Sequence, residues 1–290
     1  MSSPLLGLLF GFINTTALHV AKGMQRQGIN TLRWRSQEKS QRSGKHAVIY
    51  IAGVILNNSS PVWLILANRF SAPAYATGMF GVGLVFLLIY SRFLLHEPVA
   101  PVNYLGAIVV MVGTILFSLH SFQMGSLNVS AMKTQVVTIF IVVYLVIAGI
   151  GLVIGFRSSS GLVLGLTFGF FAGGAGCLDP ILKSIGQNAS GAATLVPAEA
   201  WGWIPFGLSF VLGLSAFVSV QIAFYRGARA SVLVPFQSSL YVLIPVVVQL
   251  IALPGYMATP VLISGIGCIV VGIFLMQLRR DPLVSAESEA

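Results

Sequence analysis

The sequence predicts an all-α integral membrane protein of about nine transmembrane helices arranged as an inverted-topology repeat. Three observations carry that expectation. Apolar residues make up 56% of the 290-residue chain and charged residues only 8%, with a mean hydropathy of +0.91, against roughly 25% charged in a soluble domain. Nine apolar stretches are each long enough to cross a bilayer, which takes about 20 residues. The first and sixth of them share residues at one constant offset. Lipid offers an open backbone no hydrogen-bond partner, so all nine are expected to be helices.

Taken in order, span one (4–23) carries Thr15, His19, Lys22 and, just beyond it, Arg26, which recur at helical spacing and form a polar stripe on one face. Span two (46–68) is interrupted at mid-depth by Asn57-Asn58-Ser59-Ser60-Pro61, where the proline removes a backbone donor and breaks the helix. Span three (72–95) opens on Ala72-Pro73-Ala74 and carries Tyr75 and Thr77. Span four (101–119) starts at Pro101, and span five (134–156) runs uncharged between Lys133 and Arg157. Span six (160–182) holds Asp179 beside Pro180. Spans seven (200–225) and eight (231–252) contribute Ser215, Ser219, Gln221 and Tyr225, then Gln237, Ser238, Ser239 and Tyr241, ahead of span nine (258–277).

The formal charge of +9 is unevenly placed. Arg26, Arg33, Arg35, Lys39, Arg42 and Lys45 follow span one, Arg92 span three, Arg157 span five, Arg226 and Arg229 span seven, and Arg279 and Arg280 span nine. The opposite side receives only Arg69, Lys133 and Lys183. Positive loops stay cytoplasmic, so the N-terminus is expected outside and the C-terminus inside, in a plasma or bacterial inner membrane. This rule accounts for the basic loop without nucleic acid, and contact with anionic lipid headgroups suits it better. The first span lacks the basic leader and small-residue cleavage site of a secretory signal and is expected to be retained. Cys177 and Cys268 fall inside spans, which suits neither a disulfide framework nor a zinc site.

Leu6-Gly7-Leu8 and Phe10-Gly11-Phe12 recur as Leu164-Gly165-Leu166 and Phe168-Gly169-Phe170, and at the same offset Ala17, Gly28 and Asn30 meet Ala175, Gly186 and Asn188. A weaker echo pairs Pro101, Gly106 and Gly113 with Pro260, Gly265 and Gly272. Small residues let helices approach closely in lipid, but close approach alone leaves the shared offset unexplained. Five spans separate the first copy from the sixth, so the copies must cross in opposite directions. The expected organisation is a first half of five spans (1–156), an inverted second half of four spans (157–280) and a polar tail (281–290).

Leu95-His96-Glu97-Pro98, followed by Asn103-Tyr104-Leu105-Gly106 and Gly113, resembles the drug/metabolite transporter (EamA-like) superfamily, in which a glutamate after the third helix precedes a glycine-bearing fourth. Lys22-Gly23-Met24-Gln25-Arg26-Gln27-Gly28-Ile29, with Ala72-Pro73-Ala74, is similar to its NIPA-like magnesium transporter branch. The resemblance implies secondary transport. The NIPA-like pattern places an acidic residue in the second span, and here that span has none, which tells against magnesium because the ion prefers carboxylate oxygens.

Polar side chains inside spans are costly and are functional candidates by default. Asn57, Asn58 and Ser59 mark either a substrate site at the helix break or a proline kink whose side chains satisfy freed carbonyls. Thr15 and His19 are candidates for substrate contact, and His19 also for proton coupling, since imidazole switches charge near neutrality. Lys22 lies near the end of span one, where snorkelling of its ammonium competes with a site role. Asp179 reads either as an ion or proton site or as an i to i+4 partner of Lys183 at a wet helix end. Glu97 is expected to order a turn and Glu199 to cap span seven. Inverted symmetry would bring Tyr75 and Thr77 together with Gln237, Ser238 and Tyr241 around one neutral, hydrogen-bonding cavity.

No catalytic constellation or phosphate loop is present, so an enzyme is not expected, nor is a cofactor. The expected activity is secondary transport of a small polar metabolite by alternating access, as uniport, exchange or proton-coupled movement. A magnesium or other divalent cation transporter is the alternative, with its metal ligands unassigned, and a non-transporting membrane scaffold or sensor is the alternative of another class. The expected partners are a small-molecule or ion substrate and the bilayer. The sequence leaves the oligomeric state, including a homodimer, open.

Overall fold

The computed structural model describes residues 3–28, 44–96, 100–124, 127–191, 194–228 and 230–277. The basic loop after the first span, Glu97, Arg229, Arg279, Arg280 and the polar tail, each given a role above, lie outside the described residues, as does the repeat match Asn30. Every regular element among the described residues is helical: α1 (Pro4–Gly28), α2 (Gly44–Asn58), α3 (Ser60–Phe70), α4 (Pro73–Gly78), α5 (Phe80–Phe93), α6 (Pro101–Met124), α7 (Thr134–Arg157), α8 (Gly161–Gln187), α9 (Trp203–Tyr225), α10 (Ala230–Ala252) and α11 (Pro260–Gln277). Helices α2 and α3 form one span broken at Ser59, and α4 and α5 form another broken at Met79. Among the described residues, 8 spans are long and apolar enough to cross a membrane, and α11 is a shorter apolar helix.

The chain is a multi-pass integral membrane protein. Large aliphatic side chains such as Ile139, Ile150, Ile204, Val211 and Leu214 point outward, where only lipid can cover them. The interior combines small residues and aromatics with buried aliphatic side chains such as Leu64, Val110, Leu178, Ile181 and Ile269.

Helix α1 runs parallel to α4 and α5 along a glycine edge. A Cβ on Gly7 would lie 1.9 Å from Ser71 Oγ, one on Gly11 2.7 Å from Ala76 Cα, and one on Gly83 2.2 Å from His19 Nδ1. Helix α8 packs on α10 in a matching register, with Gly169 against Leu233 and Gly173 against Gln237 and Leu240. The third contact is antiparallel. On α6 and α11, a Cβ on Gly113 would come within 2.7 Å of Gly265 O, and one on Gly106 within 2.8 Å of Gly272 O. Asn103 Nδ2 donates to Met276 O at 2.8 Å at one end of this pair, and His120 Nδ1 meets Thr259 Oγ1 at 3.0 Å at the other.

These contacts fix which helix ends lie together. Ser3 N donates to Phe70 O at 3.1 Å, and Gln187 Nε2 donates to Ile65 O at 2.9 Å, so the start of α1 and the ends of α3 and α8 share one end of the bundle, the near end. Arg226 Nη2 donates to Phe156 O at 2.8 Å, so the ends of α7 and α9 share the opposite, far end.

Gly113 and Gly267 lie on helices of the same bundle but differ in surroundings, since a Cβ on Gly267 meets nothing within 4 Å. Gly113→Leu is therefore expected to destabilise the detergent-purified protein by about 1–3 kcal/mol or more through overpacking, and Gly267→Leu to leave its thermal midpoint within error of the parent.

Candidate functional site

The polar stripe of α1 turns inward. Gly83 on α5 leaves room for Thr15 and His19, whose side chains a Cβ there would strike. Thr15 Oγ1 donates to Phe80 O at 3.0 Å, and His19 Nδ1 lies 2.8 Å from Thr15 O. A carbonyl only accepts, so Nδ1 carries the proton and Nε2 presents its lone pair. That Nε2 is buried and has no hydrogen-bond partner.

Phe80 is the hub of the cluster. His19 lies edge-on to it with ring centroids 4.6 Å apart, Tyr241 of α10 lies 4.4 Å away, and the Lys22 ammonium stands 5.6 Å from its centroid. Phe80 is itself buried. The Lys22 side chain thus lies beside the Phe80 ring. Lys22 is exposed and Gln237 and Tyr241 are half-exposed.

A second polar group lies nearer the near end. Tyr75 packs on Phe117 and on Tyr256, with centroids 6.0 Å and 6.2 Å away, and His120 lies edge-on to Tyr256 at 5.4 Å. The hydroxyls of Tyr75 and Tyr256 and His120 Nε2 are buried without hydrogen-bond partners. Tyr75 thus joins a different group from His19 and Tyr241. Ser238 is buried on α10, and the Thr77 hydroxyl donates to Pro73 O and Ala74 O of its own helix.

Asp179 and Lys183 form an ion pair on α8. The wet helix end expected for them is incorrect, because both residues are buried, Lys183 completely. The Lys183 ammonium stands 4.2 Å from the Phe210 ring centroid, and the Ser209 hydroxyl of α9 stands beside the carboxylate. Lys183 is consequently no loop charge and leaves the tally of positive residues on the near side. Two uncompensated charges there would be strongly unfavourable, and the pairing offsets part of that cost.

The helix break in span two takes its other reading. Asn58 is exposed and donates to Val54 O at 2.8 Å, Ser59 Oγ donates to Leu56 O at 2.7 Å, and Trp63 Nε1 donates to Ser59 Oγ at 3.0 Å. These side chains satisfy a kink in their own helix. No hydrogen bond joins Asn57, Asn58 or Ser59 to the Phe80 cluster. On α9, Ser215 and Ser219 donate to their own helix at 2.8 Å each and Gln221 is exposed; the side chains of Arg26 and Tyr225 lie outside the described residues. Glu199 holds the N-cap position of the 3-10 turn Ala200–Gly202 without a side-chain capping bond.

Two amides join the halves of the chain at the near end. Asn68 Nδ2 on α3 donates to Pro180 O on α8 at 2.7 Å, and Gln187 Nε2 returns a bond to Ile65 O at 2.9 Å. Both residues sit at span ends, where a polar side chain reads as interfacial, so their pairing has no signature in sequence. Among the described residues, these are the side-chain hydrogen bonds that link α1–α5 to α8–α10.

Among the described residues no three His, Cys, Asp or Glu side chains group as a metal ion would need. The sequence matches no family model, and no curated protein or solved structure is significantly similar to it.

The buried ion pair predicts a non-additive response. Lys183→Met alone leaves Asp179 buried and unpaired and is expected to cost about 3–5 kcal/mol, read as a fall in thermal midpoint, whereas Lys183→Met combined with Asp179→Asn is expected to recover most of that loss.

Proposed function

We propose that the protein is a secondary transporter that moves a small polar metabolite by alternating access, built as two inverted halves, residues 1–156 and 157–280, in the manner of the drug/metabolite transporter superfamily. The observation that carries this reading is the cluster in which Lys22 of α1 and Tyr241 of α10 meet at Phe80 of α5, with Gln237 one turn away on α10, at the contact between the two halves. Polar and charged groups gathered where two inverted halves meet are what an alternating-access carrier requires.

The glycine contacts support the repeat. Gly11 on Ala76 and Thr15 on Phe80 have counterparts in Gly169 on Leu233 and Gly173 on Gln237, at nearly the same spacing along the chain. Exchanging Gly106 with Gly265 and Gly113 with Gly272 maps the α6–α11 contacts onto themselves, as a two-fold axis in the membrane plane would. With the N-terminus outside, the near end faces outward and the far end faces the cytoplasm. The engagement of Asp179 by Lys183 favours an organic solute over a divalent cation, because the cluster then offers no free carboxylate among the described residues.

The reading is tested by locking the near end. In a background with Cys177→Ala and Cys268→Ser, Ile65→Cys with Gln187→Cys should cross-link under oxidation, and uptake into proteoliposomes should fall to background and return on reduction. Transport unaffected by a complete cross-link would contradict alternating access.

A further inference from the structure

Resting on the transport reading, we infer that the cluster of Lys22, Tyr241 and Gln237 beside Phe80 is an anion site, and that the solute it takes is a small organic carboxylate with an aromatic or apolar body.

Lys22 is exposed, stands beside the Phe80 ring and has no acidic partner among the described residues, whereas Lys183, which is buried, is neutralised by Asp179. A cation held among helices without a counter-ion raises the local concentration of anions and lowers that of cations, because low-dielectric walls focus its field. Its nearest large neighbour, Phe80, attracts the ammonium through the ring face but cannot neutralise it. The vacant role at Lys22 is that of an anion.

The walls describe the rest of the solute. Phe80 and Tyr241 lie 4.4 Å apart with their planes inclined by 32°, and together they offer an aromatic surface beside the ammonium. Gln237, one turn before Tyr241 on α10, is half-exposed and adds a neutral amide. A carboxylate on Lys22 with its body against Phe80 and Tyr241 satisfies each of these groups. A cationic solute would meet the ammonium as a like charge, and a fully hydrated inorganic anion would leave the aromatic wall unused.

The site is tested by binding before transport. Purified protein in nanodiscs is titrated with phenylacetate, phenylethylamine and phenylethanol, which share a body and differ in charge, and the thermal midpoint is followed. Phenylacetate is expected to raise the midpoint and the amine and alcohol to leave it unchanged. Lys22→Gln should weaken phenylacetate about tenfold or more, as expected on removing the cation that the carboxylate pairs with. Lys22→Arg should retain binding, which separates loss of charge from loss of fold, and Phe80→Leu should weaken it while keeping the preference for the anion. Equal stabilisation by all three compounds, no stabilisation by any, or undiminished phenylacetate binding in Lys22→Gln would overturn the inference. Proteoliposome uptake separates it from the transport reading: carboxylate binding through Lys22 without uptake or exchange under any gradient would sink transport and leave the site standing. Uptake of neutral or cationic solutes that Lys22→Gln does not impair would sink the site and leave transport standing.

Discussion

A lipid-embedded backbone must satisfy its own amides and carbonyls, and this constraint shapes the whole molecule. It makes every span a helix and leaves helix association to close packing, because lipid removes the usual hydrophobic drive between helices. Glycine is how this chain achieves that packing. Along α1, α8 and the α6–α11 pair, glycines face backbone or bulky side chains at distances where no Cβ could stand. The outward faces are left to aliphatic residues, which carry no polar group needing a partner.

Within that frame polar side chains are scarce and specialised. Some serve their own helix, as Asn58, Ser59, Ser215 and Ser219 do by covering carbonyls. A few stitch helices together, as Asn68, Asn103 and Gln187 do. Others are buried without a hydrogen-bond partner, among them His19 Nε2, His120 Nε2, the Gln249 amide and the hydroxyls of Tyr75 and Tyr256, and Lys22 and Tyr241 gather at Phe80. These last converge on the contact between the first and second halves of the chain. That is also where a carrier needs groups that exchange one partner for another.

Much of the architecture was legible from residue order, because span length and hydropathy report directly on the bilayer. The stripe Thr15, His19, Lys22 was also readable, since three residues at helical spacing share a face whatever packs against it. What sequence could not reveal was the identity of the partner. Asn57 to Ser59 and Asn68 look alike as polar residues in one span, yet only Asn68 reaches another helix. Lys183 read as a loop charge because it lies just past the apolar stretch, but α8 continues through it as helix to Gln187, so the residue stays inside the bundle. The Tyr75, His120 and Tyr256 group draws on α4, α6 and the segment between α10 and α11, a meeting that only tertiary packing brings about.

The central claim is that the two halves rock about a site at mid-depth, closing one end as the other opens. Pulsed electron paramagnetic resonance on spin-label pairs tests it most directly, with one pair across the near end at Arg69→Cys and Asn188→Cys and a second across the far end at Gln25→Cys and Gly161→Cys. The account predicts that conditions which lengthen the near-end distance shorten the far-end one, with both populations present in the bilayer. Single, unchanging distances at both ends under every gradient and ligand would contradict it.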